Sequence, residues 1–262
     1  MIWKLSIVIA LGLYLLGAVL LYLFQERVMF FPEPLPSDFQ YEFEAPFEEH
    51  FLQAEDGARL NYLHFKPASA KGVILYFHGN AGNLVRWGEV VLPFVDRGYE
   101  VIIMDYRSFG KNSAKRDSRL MLRDAEQFYA LARESWNEEQ IIVFGRSLGS
   151  SFASHVTGLN NPKMLILETP FSSIGYMANR MAPIYPTSVL IRFDYDNCQS
   201  LRNSQVPVYL FHGTDDRIVP IESGQLLFES ISAKKELIIL ENGGHNDLAE
   251  FETYWNTIDS IL

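Results

Sequence analysis

Six short runs of Val, Ile and Leu set the limits on what this 262-residue chain can fold into: GVILYF at 72–77, EVIIM at 100–104, QIIVF at 140–144, KMLIL at 163–167, PVYLF at 207–211 and ELIIL at 236–240. Each is bounded by turn residues, and none alternates with polar ones. A strand that is apolar at nearly every position is covered on both faces, as in a parallel sheet between two layers of helices. Segments with helical spacing separate the runs, at 83–97, 116–135, 148–159, 220–231 and 246–262. This alternation predicts an α/β fold with a mostly parallel central sheet and helices on both faces. One further run, 59–65, alternates and reads as an early antiparallel strand. Ligands of open α/β sheets bind beyond the carboxyl ends of the strands. The chemistry is therefore sought where the runs end.

Composition removes several function classes. A chain that is 48% hydrophobic buries a sizeable core and is not disordered. Lys plus Arg is 22 against 32 Asp plus Glu, a formal charge of −10. That balance argues against nucleic acid as a partner, since phosphate contacts need clustered cations. A single cysteine, Cys198, excludes an internal disulfide, a CxxC redox pair and a multi-cysteine zinc site. There is no G-x-G-x-x-G, and Gly110-Lys111 is followed by Asn112 where a P-loop needs Ser or Thr.

The N-terminus carries a different signal. Residues 5–24 contain no charge. A helix of that length spans roughly 30 Å, the thickness of a bilayer core. A cleaved signal peptide has a shorter apolar region and a small-x-small cleavage site. Here the run ends in bulky Leu21, Tyr22, Leu23 and Phe24, so residues 1–24 read as an uncleaved single-pass signal anchor. Lys4 and the α-amino group lie on one side, and Arg27 with Glu26, Glu33 and Asp38 on the other. By a margin of one positive charge, this places the N-terminus in the cytoplasm and the bulk of the chain on the non-cytoplasmic side. Residues 25–262 carry −11, because Lys4 is the one charged side chain before them. The helix, not a basic surface, would hold the protein to the membrane. Residues 25–46, with Pro32, Pro34, Pro36 and Pro46, read as a stiff linker. Residues 47–262 read as one domain.

The run at 140–144 ends in Gly145-Arg146-Ser147-Leu148-Gly149, a G-x-S-x-G, and small residues follow as if opening a helix. A sharp strand-to-helix turn lifts a serine Oγ clear of the sheet, and the helix N-terminus favours a developing oxyanion nearby. A serine hydroxyl needs a base. Of the histidines downstream, His155 lies in the following helix and His212 ends a strand. His245 sits in a Gly243-Gly244-His245 loop after the last run and is the candidate base. The third member orients the imidazole. Asp215 and Asp216 compete for that role after PVYLF, with Asp216 preferred, and Glu168 at the end of KMLIL is the runner-up. The oxyanion needs two backbone N–H donors. Leu148 follows the nucleophile, and Asn80 lies in the loop after the first long run, so these two are assigned. His78 in that loop reads as structural. No metal or organic cofactor is implied.

On HGNAGN at 78–83, DYRSFGKNS at 105–113, GRSLGS at 145–150, HGTDDRIVP at 212–220 and GGHND at 243–247, the chain resembles the α/β-hydrolase superfamily. Within it, the chain resembles a membrane-anchored branch of small serine hydrolases. The resemblance covers 47–262 and implies a Ser147, Asp216, His245 triad. Relatives include protein depalmitoylases, lipid esterases and members described as peptidases. Relatives usually have glycine where this chain has Ser108, which implies a local change of backbone.

Residues 168–206 are where such a fold carries a cap. Ile174, Met177, Ala178 and Met181 share one helical face. That face either walls an acyl pocket or packs on the sheet. The leading reading is a membrane-anchored serine hydrolase of a carboxylic ester or thioester, acting on a small-molecule or lipidic acyl ester or on a lipidated protein. A peptidase on the same fold and an inactive membrane-tethered scaffold are the alternatives.

Overall fold

The computed structural model describes residues 2–262. A helix, α1 (Ile2–Met29), leads into a two-residue strand, β1 (Phe31–Pro32). Strands β2 (Phe47–Gln53), β3 (Arg59–Phe65), β4 (Val73–Phe77) and the two-residue β5 (Ala81–Gly82) precede α2 (Leu84–Asp96) and β6 (Glu100–Met104). Then come α3 (Ser118–Ser135), β7 (Ile141–Arg146), α4 (Gly149–Leu159) and β8 (Met164–Glu168). The cap segment holds α5 (Ile174–Met181), α6 (Thr187–Leu190) and α7 (Asn197–Leu201). The chain closes with β9 (Val208–Gly213), α8 (Ile221–Ser230), β10 (Lys235–Leu240) and α9 (Glu252–Ile261).

Eight strands form one sheet in the order β10-β9-β8-β7-β4-β6-β3-β2. Six are parallel neighbours, and β3 runs against both β6 and β2. The unbroken apolar character of the runs has its cause here. Along β7, Ile141 and Val143 enter the core under α3 and α4, while Ile142 and Phe144 enter the core under α2 and α9. Every side chain is buried, so no polar position interrupts the run.

The sequence reading missed β2. It lies at the sheet edge with alternate half-buried residues and carries Glu48, Glu49 and His50. An edge strand that faces water is too polar to register as an apolar run.

The N-terminal helix continues past Phe24 to Met29. Gln25, Glu26 and Arg27 sustain it, and Pro32 ends it by disfavouring helical backbone just before the ring. α1 is the one helix among the described residues long and apolar enough to cross a membrane. Residues 30–35 do not hang free. Phe31 N–H donates to Asn80 O (2.8 Å), Glu33 N–H to Gly82 O (3.2 Å) and Leu35 N–H to Gly110 O (2.8 Å). The prolines at 32, 34 and 36, which have no N–H, occupy the alternate positions. Such spacing suits an edge strand, because proline donates nothing to the ladder.

Candidate active site

The carboxyl ends of β4, β7, β8 and β9 converge on one cleft. At the end of β7 the chain turns sharply into α4. Ser147, at the corner, has φ of 50°, in the left-handed region that costs a non-glycine residue energy. The turn is held open by contacts that exclude side chains at its flanks. A Cβ on Gly149 would land on the Phe77 carbonyl, and one on Gly145 would press Ala153 and the Gly149 carbonyl. Ser147 N–H donates to Glu168 O at 2.9 Å, tying the corner to β8.

Ser147 Oγ lies 2.9 Å from His245 Nε2, and His245 Nδ1 lies 2.7 Å from Asp216 Oδ2. The other carboxylate oxygen, Asp216 Oδ1, accepts the N–H groups of Ile218 (2.9 Å) and Val219 (2.8 Å). Burial alone would raise the Asp216 carboxyl. Hydrogen bonds from His212 and His245, and the backbone N–H of Val219, outweigh it and hold the group well below the usual carboxylate range. Of these donors His212 is the weaker at 3.4 Å, since its Nε2–H is directed to Val219 O at 2.9 Å. Asp215, the competing aspartate, is exposed, and its side chain has no partner among the described hydrogen bonds.

Two loops carry the acid and the imidazole, and they are bonded to each other. Thr214 N–H donates to Leu240 O (3.1 Å), and Asp215 N–H to Gly243 O (2.8 Å). Gly213 has no side chain where the Gly243 carbonyl presses against it. The Asp247 carboxylate accepts Gly244 N–H at 2.7 Å and closes the histidine loop.

Glu168 does not reach the imidazole. It is buried, with Arg146 Nε at 3.0 Å and the Tyr254 hydroxyl donating at 3.0 Å. Arg146 in turn lies over the Trp87 ring and donates to Asn246 Oδ1 at 3.2 Å. This buried group supports the histidine loop from below. Sequence reading did not find it. The signal was a charged residue inside the elbow, at a position that can only be buried.

Asn80 and Leu148 both line the cleft beside Ser147. Among the described residues, neither backbone N–H donates to a protein acceptor. The loop bearing Asn80 is fixed from several sides. His78 Nδ1 donates to Gly79 O (2.7 Å), the Tyr106 hydroxyl to His78 O (2.6 Å) and Trp87 Nε1 to Ala81 O (2.7 Å). The Asn80 side-chain amide donates to Met29 O at the end of α1 (3.0 Å). Ser108, the departure from the usual glycine, sits at φ 67° and donates its hydroxyl to Ala114 O at 2.8 Å. The backbone thus has the left-handed conformation a glycine would take, held by a local hydrogen bond.

The cleft encloses about 1320 Å³ between α1, the cap and the sheet. Leu21, Phe24 and Val28 form one wall, and Ile174, Met177 and Met181 another. Among the described residues its lining contains no Asp or Glu.

The strand order, the serine at the β7–α4 corner and the Ser–His–Asp chain of hydrogen bonds define an α/β-hydrolase fold. The comparisons agree. The family model described as serine aminopeptidase, S33, matches residues 68–190. Protein bem46 of Schizosaccharomyces pombe is 28% identical over 99% of this chain and 92% of its own length. The α/β-hydrolase domain-containing protein WAV2 of Arabidopsis thaliana is 26% identical over 94% and 90%. Among solved structures, acetyl xylan esterase 1 from Thermoanaerobacterium sp. superposes with a TM-score of 0.69 at 18% identity, covering 86% of this chain and 84% of that one. The chain has the α/β-hydrolase fold, and the relatives it matches include a protein described as an α/β-hydrolase domain-containing protein.

Proposed function

We propose that the protein is a membrane-anchored serine hydrolase that cleaves a carboxylic ester or thioester through an acyl-enzyme. His245 Nε2 takes the Ser147 proton as Oγ attacks the carbonyl carbon. The N–H groups of Leu148 and Asn80 hold the oxyanion. Collapse breaks the ester bond, and the leaving alcohol or thiol receives the proton from His245. Water, activated by the same imidazole, then releases the acid. Asp216 keeps the proton on Nδ1 and stabilises the imidazolium. The observation that carries the reading is the unbroken chain Asp216–His245–Ser147, at 2.7 and 2.9 Å, opening into an apolar cleft.

The lining argues against the peptidase reading that the family description brings with it. An aminopeptidase binds a free ammonium, which calls for carboxylates near the nucleophile, and among the described residues the cleft offers only Arg86 and Arg146 as permanently charged groups. The superposed Thermoanaerobacterium protein is an acetyl xylan esterase, and the apolar walls of the present cleft fit an acyl group.

The test uses the full-length protein in detergent, with nitrophenyl esters from acetate to palmitate, a panel of aminoacyl amides, and a fluorophosphonate probe. Ser147-dependent ester turnover that rises with chain length is the expected result. Turnover of amides but not esters would replace it with the peptidase. A folded protein that ignores esters, amides and the probe would be an inactive scaffold.

A further inference from the structure

The cap carries a second uncharged run. From Met181 to Ile191 no residue has a charge, and Arg180 and Arg192 bracket it. Several of its apolar side chains are exposed: Met181 (70%) and Ile184 (70%) at the rim of the cleft, and Val189 (76%) outside it. Large aliphatic groups this exposed in one short loop mark a surface that meets something apolar.

The loop lies against α1, well inside the segment that reads as membrane-spanning. The Tyr185 ring stacks on Tyr14 with centroids 4.9 Å apart, and its hydroxyl occupies the space left by Gly17. Tyr14 and Gly17 lie about 15 and 10 Å along the helix from Phe24, at 1.5 Å per residue. Backbone at that depth has no water to bond to and must be satisfied by protein. Much of the loop meets this demand. The Tyr14 hydroxyl donates to Ile184 O at 3.1 Å. Gln25 donates to Leu190 O (3.0 Å) and accepts from Arg192 N–H (2.7 Å). Tyr185, Thr187, Val189 and Ile191 donate within the loop, and Pro183 and Pro186 have no N–H. Arg192 pairs with Glu26 at 2.9 Å, just past the uncharged stretch of α1.

We infer that residues 181–191 are themselves immersed in the bilayer beside α1, so that the cleft opens sideways to hydrocarbon and takes the acyl chain of a membrane phospholipid. The inference rests on the hydrolase and anchor readings above. The cleft wall on α1 runs from Gly17 to Met29, about 18 Å at the helical rise, and continues to Ser147. A long acyl chain can therefore pass from the leaflet to the nucleophile without crossing water. Arg146 on the lining is committed to Glu168, whereas Arg86 is exposed and has no carboxylate partner among the described ion pairs. An exposed guanidinium over the Trp87 ring, with no such partner, suits a lipid phosphate.

The test uses the full chain with Cys198→Ser in phosphatidylcholine vesicles whose acyl chains carry bromine. A fluorophore is attached through Val189→Cys, Leu16→Cys or Lys234→Cys in turn. Quenching at 189 and 16 but not at 234 is expected. Quenching at 16 without quenching at 189 overturns the inference. No quenching at 16 removes the anchor reading, and the inference with it.

The second arm uses Val189→Asp, which lies outside the cleft lining. It should lower hydrolysis of a phospholipid in vesicles by on the order of tenfold or more, because a charge at hydrocarbon depth is costly. It should leave turnover of a soluble acetate ester unchanged. An equal fall on both substrates would make the loop merely structural and overturn the entry route. Cleavage of an S-acyl peptide in the same vesicles, with phospholipid untouched, would overturn the choice of substrate. If the loop is quenched but Ser147-dependent hydrolysis of either ester is absent, the hydrolase reading fails while the membrane contact stands.

Discussion

Replacing Asp216 by Asn should remove nearly all activity while leaving the fold intact, and the reason is the orientation the backbone imposes on the new amide. Asp216 Oδ1 accepts two N–H groups, from Ile218 and Val219. Those donors need an oxygen, so the asparagine oxygen takes the Oδ1 position and its NH₂ takes the place of Oδ2. His212 Nε2–H is engaged with Val219 O and offers no acceptor there. The acceptor in reach is His245 Nδ1, at the site of the present 2.7 Å bond. That bond requires the tautomer with its proton on Nε2, facing Ser147 Oγ. The imidazole then cannot take the serine proton. A trapped tautomer of this kind costs about 10⁴-fold in kcat, or about 5.4 kcal/mol at 1.36 kcal/mol per tenfold. Asp216→Ala instead leaves the imidazole free to choose its tautomer but strands the two N–H donors. Each stranded donor costs about 1–3 kcal/mol, which lowers Tm by about 2–4 °C per kcal/mol in a protein of this size. The two variants should therefore rank in opposite orders, Asn being the less active and Ala the less stable. The assay is turnover of a short nitrophenyl ester by full-length protein, with thermal melts of the same preparations. Asp215→Asn is the control and should match wild type. An Asn variant with more than about a tenth of wild-type kcat would refute the tautomer argument. An Ala variant melting as high as the Asn variant would refute the claim that the N–H pair sets the amide.

Arg146→Met should destabilise the protein by about 3–5 kcal/mol, because it leaves Glu168 buried without its cation; a thermal melt measures this, and an unchanged Tm would contradict it. Deleting residues 1–35 should lower kcat on a soluble ester more than deleting residues 1–29. The longer deletion removes the Phe31 and Glu33 hydrogen bonds to the Asn80 loop and the Leu35 bond to Gly110, at about 1 kcal/mol each. Equal kcat values for the two truncations would show that this segment does not position the loop. Asp216 also sets an acid limit on stability. Its folded carboxyl lies below its unfolded value, so its contribution is full above about pH 4 and is lost as pH falls through the folded value. Asp216→Asn should flatten the dependence of Tm on pH below about pH 4, and an unaltered slope would exclude that source.

Most of the sheet was legible because burial on both faces leaves a compositional mark that survives without tertiary information. The six apolar runs and the alternating run at 59–65 all appear as strands. The edge strand β2 was not legible, since its solvent face carries ordinary charges. The elbow and its histidine and aspartate could be read from glycines whose necessity is local, and the structure brings those three side chains together. What lay hidden were groups whose role depends on distant neighbours. Glu168 reads as a spare acid beside the site, yet it is paired with Arg146 and bonded by Tyr254. The proline-rich stretch reads as a spacer because prolines break helices and sheets. Its period of two, with Phe31, Glu33 and Leu35 free to donate, was the overlooked sign of a bonded strand. No local pattern could show that the helical face at 174–181 lines the cleft opposite α1, because that depends on where the N-terminal helix comes to rest.

The continuity from α1 through Met29 and Phe31 to Asn80 fixes more than a loop. The helix runs unbroken past Phe24, Glu26 pairs with Arg116 and Arg192, and the next residues are bonded into the domain at once. There is no swivel between rod and tool. On the proposed reading, with α1 seated in a bilayer, Ser147 works at one set height. Substrates would then be sorted by how deep their scissile bond lies as well as by what surrounds it, and a membrane of different thickness would retune the enzyme without a single change in its sequence.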